Sequence, residues 1–254
     1  MRADLAARLA WQARAALVIA KKDALVYYLK PPVVTFGIVF PVFFYLAFAA
    51  GRAVAPEAMV PGIVAMALFF TASAIGPLVT PWERQAKTYE RLVTSPASLG
   101  AILAGDTLAG AVFGAALTLI PIALGVATTA SAIVHPVELA LGIVFGAAAF
   151  SALGVLLAAP STDTPSQVMM LSNLVRLPLI FVSGVFVPHG EMPSWGQGLA
   201  PFSPLSYAAD LIRVGFGQAA YFGVASDVLA LAFFTVSLLV AARLLHARVR
   251  AHGR

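Results

Sequence analysis

The chain has 254 residues, 61% of them hydrophobic and 11% charged, with a mean hydropathy of +0.92. A soluble domain carries about 25% charged residues, so a water-soluble enzyme or binding module is excluded, and the composition predicts an all-α, polytopic membrane protein. The net charge of +5 does not point to nucleic acid, because the basic residues flank apolar stretches; zero cysteines exclude disulfides, thiol nucleophiles and thiolate metal sites.

Residues 1–30 mix Arg2, Arg8, Arg14, Lys21, Lys22 and Lys30 with alanine and aliphatics. Trp11, Val18 and Leu25 recur every seventh residue, which predicts a helix lying on the cytoplasmic membrane surface, apolar groups toward lipid and amines toward headgroups. Charge throughout this segment argues against a cleavable signal peptide. Six apolar spans are then expected, near 33–50, 59–80, 96–129, 136–159, 165–187 and 227–245, each with the roughly 20 residues a bilayer crossing needs. Pro41 predicts a kink in the first. Thr164 to Gln167 reads as a capping box with Pro165 at the first helical position of the fifth. A single permease domain over 1–254 is expected, with 188–226 as an outer segment and 246–254 as a tail.

Between the second and third spans, Pro81 to Ser98 concentrates Glu83, Arg84, Lys87, Glu90 and Arg91. Read as one helix over 82–93, Trp82, Ala86, Tyr89 and Val93 share a face and the charges take the others. Two readings stand: a solvated loop helix, or a handle gripped by a soluble partner. Ser95-Pro96 reads as the N-cap and first-turn proline of the third span. Lysine and arginine set the orientation. The N-terminal six, then Arg84, Lys87 and Arg91, then Arg243, Arg248, Arg250 and Arg254 fall on one side of six alternating spans; Arg52 and Arg213 fall on the other. Both termini are therefore expected in the cytoplasm, with the protein in the inner membrane of the cell.

Gly110-x-x-x-Gly114 and Gly142-x-x-x-Gly146 permit close helix packing. Asp106 lies ten residues after Pro96 and Arg176 eleven after Pro165, which places both about 15–17 Å from their helix starts. Arg176, with Asn173 one turn before it on the same face, is expected to line a substrate path in the dimer interior, and Asp106 is either its counter-ion, within or between subunits, or is satisfied separately nearer the cytosol. A purely locking role is the other reading of the pair. Residues 188–226 are too apolar for an exposed loop and too rich in Pro and Gly to cross. Short helices over 192–199 and 206–216 are expected to dip into the outer leaflet, with Trp195, Phe202 and Tyr207 at the interface and Asp210 pairing with Arg213.

No phosphate-binding loop, G-x-S-x-G or H-E-x-x-H occurs. The chain is thus expected to be no enzyme and to bind no cofactor. His135, His189, His246 and His252 lack ligand spacing, so no metal site is expected and they read as interfacial.

Three stretches bring a family into view: Glu83 to Leu92 with Ser95-Pro96; Ser183-Gly-Val-Phe-Val-Pro188; and Pro204-x-x-Tyr207-x-x-Asp210-x-x-Arg213. Their order and spacing resemble the permease subunits of type-2 ATP-binding-cassette exporters, and bacterial drug and lipooligosaccharide exporters are the most similar in layout. Where that family has glycine before the threonine of the first motif, this chain has Lys87. The resemblance implies a half-transporter that pairs with a second permease copy, in a homodimer or heterodimer. Each copy would be gripped by a separate ATPase subunit that binds ATP and magnesium. It also implies ATPase coupling through Trp82, Glu83, Arg84, Ala86, Tyr89, Glu90 and Val93, with a second contact around Asp163. An ion-coupled secondary transporter or a membrane scaffold is the alternative; the first would want several buried ionisable groups and an internal repeat, neither of which is evident.

Overall fold

The computed structural model of the chain describes residues 2–26, 39, 42–43, 46, 56–159 and 164–252. Those residues are helical apart from short connections. The helices are α1 (Arg2–Val26), α2 (Pro56–Ser73), α3 (Ile75–Gln85), α4 (Thr88–Thr94), α5 (Leu99–Thr128), α6 (Pro136–Leu157), α7 (Pro165–Val182), α8 (Ser194–Leu199), α9 (Pro204–Gly215) and α10 (Val224–His252). Short 3-10 turns at His189–Glu191 and Ala200–Phe202 flank α8. Among the described residues, four apolar segments are long enough to cross a membrane: Glu57–Gln85, Leu99–Thr128, Pro136–Leu157 and Val224–Arg248. A shorter one, Ser166–Val182, sits in α7. The expected first span lies almost wholly outside the described residues.

Helix starts follow local chemistry. Pro136, Pro165 and Pro204 open α6, α7 and α9, where a missing N–H costs nothing. The start of the third span differs from expectation. Ser98, not Ser95, caps α5, its hydroxyl accepting from the Ala101 N–H at 3.2 Å. Ser95 instead closes α4, donating to the Leu92 carbonyl at 2.6 Å. At Thr164 the side chain makes no cap bond, and the Gln167 N–H goes to the Thr164 carbonyl at 3.0 Å.

The second span is the axis of the molecule. Its α2 half is enclosed by α5, α6 and α9, and Val64 to Phe69 are essentially without exposure. Phe69 meets Phe150 of α6 edge to face at 5.0 Å. At Ala74, which keeps helical dihedrals (φ −74°, ψ −25°), the hydrogen-bond ladder is interrupted and the helix resumes as α3. There α6 comes down onto the backbone itself: a Cβ at Gly154 would strike the Ser73 carbonyl, and one at Gly76 the Gly154 carbonyl. The outer face of α6 receives α9, with Gly142 under Leu211 and Gly146 under Ala208. Here the small residues let two helices approach to backbone distance.

Because the opposing atoms at Gly154 are backbone, they cannot rotate away. Gly154→Ala is expected to destabilise the purified protein by about 1–3 kcal/mol, read as a lowered thermal midpoint. Gly198→Ala, where an added Cβ meets nothing within 4 Å, should leave that midpoint unchanged.

Candidate functional site

The segment that joins the second and third spans is not one helix over 82–93. The second span runs on through Pro81 to Gln85, turns at Ala86 and Lys87, and resumes as α4. Lys87 stands at φ 55°, ψ 19°, in the left-handed region that glycine occupies without a Cβ penalty. The turn puts Trp82 and Ala86 on one helix and Tyr89 and Val93 on another, so the single shared face expected for these four is absent. Trp82 is 38% exposed, and Gln85, Ala86, Lys87 and Thr88 are exposed beyond it. Arg84 is half-buried. Tyr89, Glu90 and Val93 lie on α4, with their side chains outside the described part of the structure. Asp163 falls outside the described residues.

Glu83 is not a rim charge. It is buried and accepts from the Lys22 ammonium of α1, which also lies 3.0 Å from Asp23. Asp106 of α5 is buried within electrostatic reach of Asp23, Glu83 and Lys22. Helix α1 reaches this site because α5 offers Gly105 to it, where a Cβ would come within 2.8 Å of the Ala16 carbonyl and of Ile19. Trp11, Val18 and Leu25 remain on the outward face of α1. One ammonium thus contacts two buried carboxyls, Asp23 and Glu83, and a third, Asp106, lies within its electrostatic reach. Burial works against the Lys22 charge, but Asp23 and Glu83 outweigh it and hold Lys22 above the ordinary lysine range. Burial pushes the Asp23 carboxyl up, with Lys22 opposing.

Asp106 and Arg176 are not brought together within the chain. Helix α5 begins three residues later than expected, so Asp106 sits about 10 Å along it while Arg176 is about 16 Å along α7. Arg176 is 2% exposed, and its guanidinium donates to the Ser73 carbonyl at the break in the second span. Asn173 is half-buried one turn earlier.

In the outer segment the expected Asp210–Arg213 pair is replaced by two anchors. The Asp210 carboxylate accepts from the backbone N–H groups of Tyr221 (2.9 Å) and Phe222 (2.9 Å). Arg213 donates to the Gly184 carbonyl. Gly184 has φ +74°, and a Cβ there would strike the His189 ring. His189 is buried, stacked on Tyr221 at 5.1 Å, and burial together with the Arg213 charge lowers its pKa, so the ring stays neutral. Tyr207 donates to the Pro201 carbonyl at 3.1 Å. Trp195 and Phe202 stand exposed at the edge of this cap, Phe202 by 74%. His246, also expected at an interface, is buried 3.3 Å from the Val155 carbonyl.

Residues 14–216 match the family described as ABC-2 type transporter. The chain belongs to that family. Among its relatives, Nodulation protein J of Bradyrhizobium diazoefficiens is 28% identical over 66% of this chain and 61% of its own length. The daunorubicin resistance ABC transporter permease protein DrrB1 of Streptomyces coeruleorubidus is 32% identical over 46% of this chain and 41% of its own. The inner membrane transport permease YadH of Escherichia coli K12 is 26% identical over 74% of this chain and 75% of its own. The chain thus spans about three fifths or less of the first two.

In this ABC-2 permease, two motifs that are distant in sequence meet in space: Arg213 of the third motif holds the Ser183-Gly184 turn of the second. Sequence reasoning missed Asp23 and Pro77; it placed the Lys22 amine toward headgroups and His189 at an interface, and both are instead engaged inside the protein. A faint signal existed for Asp23, an acid in a basic amphipathic helix. Another existed for Pro77, four residues after the end of α2.

Two outcomes test this geometry. Lys87→Gly removes a left-handed lysine and is expected to stabilise the protein by about 1 kcal/mol, whereas Lys87→Val should destabilise it, both by thermal midpoint. The raised Asp23 carboxyl binds its proton more tightly when folded than in the unfolded chain, where its value is about 3.9. Its contribution is therefore full below that value and is lost as pH rises through the native value. Asp23→Asn should lose less thermal stability than the parent as pH rises above about 4, the unfolded carboxyl value.

Proposed function

We propose that this chain is the membrane half of an ATP-driven exporter, working as two permease copies, each engaged by a separate ATPase that holds ATP and magnesium. The observation that carries the reading is the exposed turn at Ala86 and Lys87. It stands at the end of a helix that is continuous, but for one break, with the most deeply enclosed span. Force applied there has a rigid route into the membrane core, and the Lys22–Glu83 contact ties the route to α1. A groove on the ATPase receiving Trp82 and Tyr89 would draw its energy from those rings more than from rim charges, and the segment around Asp163 would make the second contact.

The distribution of lysine and arginine supports a cytoplasmic location for this turn and both termini in a bacterial inner membrane, and supports six spans. The substrate class we assign is amphipathic or lipid-linked, moved outward from the cytoplasm or inner leaflet, in keeping with a relative named for daunorubicin resistance. Met170, Leu174, Leu177 and Phe181 form an exposed stripe on α7 that suits a second copy.

Co-expression with the cognate ATPase, followed by reconstitution, tests the reading. ATP-dependent uptake of daunorubicin or a fluorescent phospholipid into inside-out proteoliposomes is expected. Trp82→Ala with Tyr89→Ala should lower uptake and ATPase co-purification at least tenfold, about 1.4 kcal/mol or more of docking energy, while membrane insertion is unchanged. Uptake that ignores ATP and collapses with a proton or sodium ionophore would establish the ion-coupled alternative instead.

A further inference from the structure

The break between α2 and α3 has a chemical cause in the sequence. In a continuous helix the Ser73 carbonyl accepts from the N–H of residue 77. Residue 77 is Pro77, which has no N–H and whose ring crowds the carbonyl four residues back. The Ser73 carbonyl is therefore orphaned halfway through a membrane span. Water cannot serve it: Ser73 is fully buried and the backbone of α6 at Gly154 lies against the same oxygen. Inside hydrocarbon such a group must be satisfied by protein. The guanidinium of Arg176 satisfies it, reaching across from α7.

Other facts about Arg176 fit this role. No carboxylate pairs with it among the described residues, and its Nε has no hydrogen-bond partner there. Its charge is met by the C-terminal end of α2, where the helix dipole is negative. The distal half of the broken span, α3, runs about 16 Å from the break to Gln85. It carries Trp82 and Glu83 and ends at the Ala86–Lys87 turn.

We propose that Arg176 is a positioning residue that completes a proline hinge: it supplies the donor Pro77 lacks, and so fixes the angle at which α3 carries the coupling turn toward the cytoplasm. Pro77 and Arg176 form one functional unit although 99 positions separate them (176 − 77). That the hinge serves ATP-driven transport rests on the function proposed above; that Arg176 sets the hinge does not, and the test needs neither ATPase nor substrate.

The cysteine-free chain allows the angle to be measured. Spin labels on Lys87→Cys and Arg243→Cys, both exposed positions, report the distance from the coupling turn to α10 in nanodiscs. The parent protein should give a narrow distribution. Arg176→Met should broaden it and lower the thermal midpoint by about 5 °C. Pro77→Ala restores an N–H for Ser73, so Pro77→Ala with Arg176→Met should return the distribution and the midpoint to those of Pro77→Ala alone. Arg176→Lys, a donor without the fork, should fall between. If Arg176→Met fails to insert, recovery of insertion by Pro77→Ala reads the same coupling. Equal damage from Arg176→Met in the parent and in the Pro77→Ala background would overturn the proposal, as would an unchanged distance distribution in Arg176→Met.

Discussion

The contact on which the rest of the structure depends is backbone on backbone: α6 at Gly154 against the second span at Ser73 and Gly76. Two helices this close leave no room for side chains, so the crossing point and the tilt of both are set together. With α6 fixed there, its outer half presents Gly142 and Gly146 to α9, and the cap has a floor. With the second span fixed there, α5 packs along its flank, Gly114 meeting Ala72 and Gly125 meeting Val60. Helices in lipid gain little from burying apolar surface against one another, and close van der Waals approach takes over that role.

Charge inside this frame obeys a different rule from charge on a soluble surface. Arg176 and Arg213 each go to a backbone carbonyl, at Ser73 and Gly184, where a helix has broken or ended. Asp210 goes to the N–H groups of Tyr221 and Phe222. In each case a charged side chain satisfies backbone that the chain has left open. A salt bridge along a helix, such as Asp210 with Arg213, would have left those backbone groups bare, and in an apolar surround an unsatisfied peptide group is costly. Lys22 with Asp23 and Glu83 is the exception, and it lies where α1 rests on α5. Three elements contribute to that cluster, so it ties the surface helix to the arm that carries the Ala86–Lys87 turn.

Hydropathy along the chain determined that this is a helical membrane protein, because a bilayer crossing demands a length and polarity that any window of residues reveals. Proline and serine placed most helix starts, since the capping chemistry is local, although Ser95 and Ser98 exchanged roles within three residues. Three short motifs determined the family. Even the oddity at Lys87 was legible as a departure from glycine; the structure supplied the reason in a left-handed turn. What only the tertiary structure decided is who meets whom. The partner of Arg176 is a main-chain oxygen, and main-chain oxygens look alike in every sequence; it became available only because Pro77 withheld a proton four residues on. Asp106 found Asp23 rather than Arg176 because α5 starts at Leu99 and α1 folds back across it. Local rules fix spans and ends. Pairings between spans depend on depth, rotation and backbone left unsatisfied, and those exist only once the helices have packed.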